Sequence, residues 1–392
     1  MWWGLRRFAL GCAGLVAVGL TVGSGPVMSG PVMPGPVTSG PVEDVTDRVS
    51  ALVAHKLMER AGHVEAQDTR VTVTRRDGTE WAFGTGVIVA AARRDAYPLG
   101  WLFLAHRDGE RWQVAFDDEA GFPQLAWQAP VMSRGEREAF AFAEQDGDKR
   151  TGMRLPYALG QTWRLTGGPH PMSGGALSSV DLAGGDLRVL AARGGTGYTM
   201  CKGWIRVVHD RGYATDYYHL WHQVKLDGTP VRQGQFLGDA GTDVTCGGSA
   251  TGRHLHFSLR QYGRYLPIAG YGFGKWVMYQ GDRPYDGYAL HGSRRADVGE
   301  GLINYGALGF DQGIVDTDGG GTLHRRAGPG TGNEVLGALD DGDTVTIACS
   351  AHGTEHDGRY GTSDIWHKLP DGSWISDAYV WTGADQPVSG WC

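Results

Sequence analysis

Two histidines separated by one residue are the feature of this sequence best suited to chemistry. They lie in the segment Gly252-Arg-His254-Leu-His256-Phe-Ser-Leu259. Residues i and i+2 of a β-strand point to the same face, so the two imidazoles would project side by side. Neutral imidazole is a common ligand of zinc, and the pair therefore favours a metal site. By itself the pattern is weak, because such a pair is more often structural or lies on the surface.

Three further side chains supply the rest of a metal site. His219 follows a predicted hairpin, His170 follows the turn-forming run Gly167-Gly-Pro, and Asp181 lies on the next predicted strand. Two histidines and one carboxylate make a three-ligand site, which leaves the fourth zinc position open for water. The two histidines that remain can act as the base and as the donor to an oxyanion. Spacing alone does not decide which member of the His254 and His256 pair binds the metal.

With these residues placed, the stretch from about residue 155 to 288 resembles the lysostaphin-like and β-lytic metalloendopeptidases, which cleave the peptides of bacterial peptidoglycan. The matching motifs occur in order, and they are Gly-Gly-Pro-His170, Ser-Ser-Val-Asp181, Tyr-Tyr-His219-Leu and Arg-His254-Leu-His256-Phe. The resemblance implies one zinc ion per chain, held by His170, Asp181 and His256. It implies that His254 and His219 are the catalytic histidines. It also implies an antiparallel β-sheet core with the zinc in a groove between loops.

Two other functions stay open at this point. Some members of the resembled family lack ligands and act as wall-binding regulators of other hydrolases, although every expected ligand is present here. A peptidase of glycine-rich proteins would share the same site and differ only in its groove. In part of the family a downstream tyrosine assists the oxyanion, and Tyr285 and Tyr288 are the candidates. We expect His209, His222 and His291 to lie outside the metal site.

The first 24 residues predict a secretory signal peptide. Arg6 and Arg7 precede an apolar run from Phe8 to Val22, which is followed by two small residues. A membrane anchor is the alternative, but the run is shorter than the about 20 residues that a spanning helix needs. We therefore expect a secreted, cell-wall-associated protein that has no membrane partner once the signal is removed.

Four cysteines follow this segment, and they are Cys201, Cys246, Cys349 and Cys392. An even number of cysteines in an exported chain favours disulfides. Their positions along the chain pair Cys201 with Cys246 and Cys349 with Cys392. A zinc site made of four thiolates is disfavoured, because the sequence has no Cys-x-x-Cys pair.

The composition indicates a β-rich chain and argues against a nucleic-acid partner. The 392 residues include 64 glycines, 14 tryptophans and 15 tyrosines, which is typical of many short strands joined by tight turns. A formal net charge of −7 offers no basic face for a polyanion. We expect a mainly β, monomeric protein. Its antiparallel β-sheet metallopeptidase core would be preceded by a small α+β domain and followed by a small SH3-like β-barrel.

The region before the metal-site motifs predicts a helix followed by hairpins. Apolar residues at helical spacing begin at Val45, with Asp44 or Thr46 as the cap and Gly62 as the end. The turns Asp77-Gly78 and Asp108-Gly109 each lie between alternating strands.

The position of this region between a signal and a protease suggests a propeptide that blocks the groove. Lys149-Arg150, in the charged connector that follows, is a candidate processing point. A retained accessory domain would have the same sequence.

The final segment resembles bacterial SH3-like domains. The resemblance rests on the runs Leu323 to Gly330, Val335 to Gly337 and Gly342 to Val345, and on Trp366 and Trp374. It implies a module that binds cell-wall peptides, although this chain has His-Arg-Arg at 324–326 where the family usually has Asn-Val-Arg. A small barrel that only packs on the peptidase is the alternative.

The predicted organisation has seven parts. In order they are a signal peptide (1–24), a Gly/Pro-rich linker (25–44), a propeptide-like domain (45–135), a connector (136–152), a zinc metallopeptidase domain (153–300), a second linker (301–321) and an SH3-like cell-wall-binding domain (322–392). The first linker repeats Gly-Pro-Val every five residues, which favours an extended and unpacked chain.

Overall fold

Three α-helices and six β-sheets make up the part of the chain that the computed structural model describes, which is residues 44–62, 66–141, 148–172 and 175–392. The mainly β fold class is confirmed. The predicted signal peptide, and all of the first linker except its last residue, lie outside the described residues. Among the described helices, none has the length and apolar character needed to cross a membrane.

The N-terminal region is a helix packed on a four-stranded antiparallel sheet, as predicted. Helix α1 (Val45–Ala61) begins after Asp44, whose carboxylate accepts a hydrogen bond from the Thr46 N–H, and it ends at Gly62. The sheet has the order β1-β2-β3-β4, with bounds Ala66–Asp77, Trp81–Ala90, Leu99–Asp108 and Arg111–Phe116. The helix buries one face, formed by Val49, Val53 and Leu57, because residues four apart share a helical face.

Two short helices follow, α2 (Phe122–Gln128) and α3 (Arg134–Phe140). The sequence analysis placed the end of the domain and the start of a connector here. Helix α3 begins with a capping box, in which the Ser133 and Glu136 side chains each accept a hydrogen bond from the other residue's N–H. The Ser-x-x-Glu spacing in the sequence is typical of such a capping box. Glu136 is buried and accepts hydrogen bonds from Arg75 and Tyr198, so the charged run begins inside the packed structure.

The central region is a nine-stranded antiparallel sheet flanked by two smaller sheets. Its strands are β5 (Arg150–Met153), β6 (Thr162–His170), β7 (Ser179–Ala183), β8 (Arg188–Leu190), β9 (Gly195–Cys201), β10 (Trp204–Val208), β11 (Tyr213–Tyr218), β12 (Leu220–Trp221), β13 (Asp227–Val231), β14 (Phe236–Ala240), β15 (Leu255–Gln261), β16 (Arg264–Tyr265), β17 (Gly272–Phe273), β18 (Trp276–Gln280), β19 (Gly287–His291), β20 (Arg294–Asp297) and β21 (Gly301–Ile303). The large sheet has the order β13-β9-β10-β11-β15-β7-β6-β21, and β16 pairs with β15. The flanking sheets have the orders β12-β14-β8 and β20-β19-β18-β17-β5.

Strand β15, which carries His256, lies in the middle of the large sheet, and His254 directly precedes it. On β15, Leu255, Phe257 and Leu259 are buried in the main core, as the alternation of a strand predicts. The structure does not favour cleavage at Lys149-Arg150. Arg150 is buried in β5 and ion-paired with Asp148, and a protease needs an exposed, unpaired segment.

The C-terminal region consists of two further sheets. Its strands are β22 (Gln312–Val315), β23 (Leu323–Arg326), β24 (Val335–Leu339), β25 (Thr344–Thr346), β26 (Cys349–Gly358), β27 (Gly361–Lys368), β28 (Trp374–Ser376) and β29 (Val380–Trp381). They form the sheets β25-β22-β29 and β24-β23-β28-β27-β26, neither of which closes on itself within the described residues. The SH3-like barrel is therefore not confirmed and stays a prediction. Strands β21 and β22 also occupy part of the predicted second linker.

Both predicted disulfides, Cys201–Cys246 and Cys349–Cys392, are present. The N-terminal and central regions share one apolar core, in which Phe83 and Leu104 lie in the same cluster as Met200 and Trp204. Their contact is close at Gly100, where an added Cβ would come within 2.6 Å of the Trp204 ring. The N-terminal region is therefore packed against the central region through a shared core.

Candidate active site

Three neighbouring strands bring most of the predicted site residues to one place. Asp181 on β7 lies directly opposite His256 on β15, and His256 lies opposite Tyr218 at the end of β11. His219 follows Tyr218 with a φ of 69°, a left-handed backbone that non-glycine residues adopt chiefly where the surrounding structure enforces it. Sheet register therefore aligns the carboxylate with two of the histidines.

His170 reaches the same place through irregularities at the end of β6. The pairing of β6 with β7 shifts register twice between Leu165 and His170, which redirects the side chain at the strand end. Gly168 allows the chain to pass close to its neighbour, because a Cβ there would lie 2.4 Å from the Asp286 carbonyl oxygen. The Gly-Gly-Pro run thus has a steric role in placing His170.

His170, Asp181 and His256 offer three ligand atoms that all lie within 4.8 Å of one another. His170 Nε2 lies 3.3 Å and His256 Nδ1 lies 3.2 Å from Asp181 Oδ1, and the two nitrogens are 3.1 Å apart. Within the described residues, the buried Asp181 Oδ1 receives no well-formed hydrogen bond. Two imidazoles and a carboxylate are a ligand set that zinc uses, so this cluster could bind a metal ion.

Backbone carbonyls orient three of the four histidines. Nδ1 of His170 lies 2.7 Å from the Gly168 carbonyl oxygen. Nδ1 of His219 lies 2.9 Å from the Asp243 carbonyl oxygen, and Nδ1 of His254 lies 2.8 Å from that of Gly252. An Nδ1–H that donates to a carbonyl leaves Nε2 as the acceptor of the neutral ring and fixes its direction. The Nε2 of His254 consequently lies 3.6 Å from Asp181 Oδ1.

The electrostatics of the cluster favour the metal-binding forms of its side chains. Burial, together with the nearby His254 and His256 rings, lowers the pKa of His219 to about 3. Burial likewise lowers the pKa of His256 to about 4. Burial alone would raise the pKa of Asp181, yet the neighbouring His170 and His256 lower it well below its usual value. Neutral imidazoles and an ionised carboxylate are the forms that hold a cation.

The remaining pair of predicted residues lies beside this cluster. The ring centroid of His219 is 4.7 Å from that of His254 and 6.0 Å from that of His256. All five residues proposed from the sequence, which are His170, Asp181, His219, His254 and His256, therefore converge on one site. Their individual roles stay predictions.

Two tyrosines also lie at the site, one of which the sequence analysis missed. Tyr285 stacks on His170 with 4.0 Å between ring centroids, and the other candidate, Tyr288, stacks instead on Tyr279. Tyr97 comes from the loop between β2 and β3 in the N-terminal region. Its ring centroid is 5.9 Å from that of His256, and its hydroxyl is hydrogen-bonded to that of Tyr285. No local pattern pointed to Tyr97, because only domain packing brings it here.

Three other histidines have partners of their own. The His209 ring is bonded to the Gly194 carbonyl and the Thr215 hydroxyl, the exposed His222 ring lies 2.8 Å from Asp239, and the His291 ring is bonded to the Lys275 carbonyl. These contacts fit the expectation that they lie outside the metal site.

Comparison with known proteins identifies the central region. Residues 179–267 match Peptidase family M23. Protease LasA of Pseudomonas aeruginosa is 33% identical over 146 residues, which are 34% of this chain and 35% of LasA, so the chain spans about a third of that relative's length. Beta-lytic metalloendopeptidase of Lysobacter enzymogenes is 28% identical over 132 residues, which are 30% of this chain and 74% of that protein.

A solved structure is also similar to part of this chain. Pseudoalterin, described as an M23 metalloprotease from the deep sea, is 30% identical, and the match covers 38% of this chain and 97% of pseudoalterin with a TM-score of 0.36. The family match includes Asp181, His219, His254 and His256, and His170 lies just before it. The central region of the chain therefore matches peptidase family M23 over residues 179–267, with this set of side chains in the match or just before it.

Proposed function

We propose that the chain is a secreted, zinc-dependent endopeptidase that hydrolyses peptide bonds in the cross-bridges or stem peptides of bacterial peptidoglycan. The observation that carries this proposal is the convergence of His170, Asp181 and His256 around a buried carboxylate oxygen without a hydrogen-bond donor. A buried carboxylate oxygen that receives no well-formed hydrogen bond is costly. A cation bound by the three side chains would compensate it.

His170, Asp181 and His256 would hold the zinc ion, which when bound would supply Lewis-acid polarisation of a carbonyl and a water of lowered pKa. His254 and His219 each present an Nε2 acceptor, because their Nδ1 atoms face carbonyl oxygens. Such a nitrogen takes the proton of the attacking water, and the protonated ring then donates to the oxyanion or to the leaving amine. The Tyr285 hydroxyl is a further donor on the same side.

Two observations support wall peptides as substrates and the cell exterior as the compartment. The ordered motifs resemble those of wall-cleaving peptidases, and one relative is named beta-lytic metalloendopeptidase. The two disulfides fit an oxidising compartment. We propose that the C-terminal region binds the cell wall and brings the peptidase to its substrate.

We further propose that the N-terminal region keeps the site closed. Tyr97 lies over the rings of His170 and His256, at centroid distances of 6.3 and 5.9 Å. The loop that carries Tyr97 follows Ala90 at the end of β2. The Ala90 N–H donates a hydrogen bond to the carbonyl of the disulfide-bonded Cys246 at 3.1 Å. A substrate carbonyl and the Tyr97 ring would compete for the same space.

The hydrolase proposal is tested with the full chain and with its Tyr97→Ala variant, both supplied with zinc. Purified peptidoglycan and a glycine-rich protein such as elastin are the substrates, and new amino groups and released muropeptides are measured. We expect about one zinc per chain and wall cleavage that a chelator abolishes and zinc restores. Cleavage of the glycine-rich protein alone would favour the alternative substrate. Zinc-loaded protein that releases no amino groups from either substrate would contradict the peptidase proposal.

The closure proposal predicts that Tyr97→Ala raises activity by about tenfold or more, which corresponds to removing an inhibitory contact of about 1.4 kcal/mol or more. Trp127→Ala is the matched control, because it removes a half-exposed aromatic of the same region on α2. The initial rate of amino-group release is the measurement. Equal rates in the wild-type and Tyr97→Ala proteins would show that the loop does not limit access.

A further inference from the structure

A second polar cavity lies in the C-terminal region, away from the peptidase motifs. It has a volume of about 280 Å³, and its lining includes His324, Arg326, His356, Trp366, Ser376 and Tyr379. Three of these side chains can carry a positive charge, and the lining has no acidic residue. We propose that this cavity binds a carboxylate group of a peptide.

The positive charge of the cavity has no internal counter-ion. Arg326 donates to the Asn333 carbonyl oxygen at 2.9 Å, but no carboxylate within the described part of the chain forms an ion pair with it. Two acidic residues next to the lining in sequence are engaged elsewhere. Asp316 binds Arg359 and Tyr360, and Asp377 accepts hydrogen bonds from His367 and Ser363. The Arg326 guanidinium therefore keeps donors that a bound anion could accept from.

The walls of the cavity suit a planar group. The buried Trp366 ring is held by a hydrogen bond from its indole N–H to the Thr354 carbonyl at 2.8 Å. The His356 ring lies 5.5 Å from that of Tyr379 and 6.3 Å from that of Trp366, measured between centroids. A guanidinium binds a carboxylate through two parallel N–H donors, so Arg326 is the residue best suited to fix the ligand.

The cavity favours a peptide carboxylate over a polyanion such as a phosphate polymer. A polyanion calls for a continuous basic track, but the neighbouring Arg325 is already paired with Asp371, and the whole chain has a net charge of −7. The cavity is small enough that one or two amino-acid residues would fill it. The source of the ligand rests on the proposed wall binding, because cell-wall peptides carry carboxylates at their C-terminus and on side chains. It does not depend on the peptidase site.

Isothermal titration calorimetry of the full chain tests the proposal with three peptides. The first is N-acetyl-D-alanyl-D-alanine, the second is its C-terminal carboxamide, and the third has an amidated C-terminus and a glutamate side chain. We expect at least one carboxylate peptide to bind about tenfold or more tightly than the uncharged carboxamide, because charge-assisted hydrogen bonds are the stronger ones. Whichever carboxylate peptide binds identifies the source of the group.

Arg326→Gln should remove this preference for a carboxylate, and His356→Gln should reduce it. Arg325→Gln is the matched control, because it makes the same charge change on the adjacent residue of β23, which faces Asp371. Circular dichroism shows whether each variant is folded. If Arg326→Gln does not fold, His356→Gln still tests the preference for a carboxylate.

Three outcomes overturn the proposal, which are equal binding of all peptides, no binding of any, and equal losses in the Arg325→Gln and Arg326→Gln proteins. Amino-group release from peptidoglycan is measured on the same samples. Wall cleavage without a carboxylate preference would overturn this inference and leave the proposed function intact. A carboxylate preference without wall cleavage would support this inference and contradict the proposed function.

Discussion

Two buried histidine clusters in this chain differ in whether their polar atoms are satisfied. In the C-terminal region, Ser350 Oγ lies 2.9 Å from His367 Nδ1, and His367 Nε2 lies 2.9 Å from Asp377 Oδ1. In the M23 site, Asp181 Oδ1 and His256 Nε2 are buried and have no hydrogen-bond partner among the described residues. The first cluster is complete without a ligand, and the second is not.

The comparison shows why residue types alone do not identify a site. Ser350, His367 and Asp377 follow the contact order of a nucleophilic triad, but Ser350 is fully buried and cannot meet a substrate. Its network stabilises the fold, since paired polar groups in a protein interior are favourable. The M23 cluster keeps an unsatisfied ligand atom, Asp181 Oδ1, and His254 keeps part of its side chain exposed beside it. A buried, unsatisfied ligand atom next to a partly exposed histidine marks the functional cluster.

The largest change in activity is expected for substitutions at the metal site. In the Tyr97→Ala protein, His256→Ala should lose zinc and lower activity by on the order of 10³-fold or more, because a metal ion contributes several kcal/mol to catalysis. His254→Ala should keep zinc and lower turnover by roughly 10²–10⁴-fold. Metal content and amino-group release are measured together, with His222→Ala as the control. Equal loss of zinc in both variants would show that the division of roles is wrong.

A smaller effect, on stability alone, is expected at the satisfied cluster. His367→Ala should lower the free energy of unfolding by about 1–3 kcal/mol, because it leaves the buried Ser350 and the partly exposed Asp377 without their partner. Zinc content and turnover should not change. The control is His352→Ala, which breaks an exposed pair with Asp364 and should cost less than about 0.5 kcal/mol. Chemical denaturation is the measurement. Loss of zinc or of turnover in a folded His367→Ala protein would show that the role of this cluster is not purely structural.

The last expected effect is a pH dependence of stability at His209, a third buried histidine with both ring nitrogens bonded. Burial lowers its pKa from 6.5 to about 4. Between these values the unfolded chain binds more protons at His209 than the folded chain does, so its contribution to stability is lost as the pH falls through this window. Above pH 6.5 the contribution is fully present.

His209→Gln should therefore make the unfolding free energy depend less steeply on pH, by up to about 1.4 kcal/mol per pH unit. Denaturation curves at pH values inside and above the window, with chelator present, provide the measurement. His222→Gln serves as the control, because His222 is exposed. Parallel pH profiles for the wild-type and His209→Gln proteins would contradict a buried, neutral His209.

The large apolar contact between the N-terminal region and the peptidase bears on how the site opens. Trp204 and Met200 of the peptidase share a core with Phe83 and Leu104, and the Asp117 carboxylate of the N-terminal region forms an ion pair with the buried Arg206 of the peptidase. Cleavage of the chain between the two regions would leave these contacts in place. Movement of the Tyr97 loop is therefore a smaller change than release of the whole domain.

Several features of the fold and site were predictable because their signals are local. The cap at Asp44 and the stop at Gly62 bound α1, and the Asp-Gly turns joined strands as expected. The alternation around His254 and His256 placed both rings on the side of Asp181. Helix α3 has a local signal as well, in Ser133 and Glu136, but the many charged residues of the predicted connector (136–152), which begins inside this helix, favour a linker instead.

The types of ligand, their order along the chain and the strand period that pairs the histidines can be read from the sequence, because they depend on residues a few positions apart. The folded chain was needed to show that His170 meets His256 across 86 residues, that carbonyl contacts orient the rings, and that Tyr97 lies beside them. These contacts depend on sheet register and on the packing of one domain against another, which no short segment encodes.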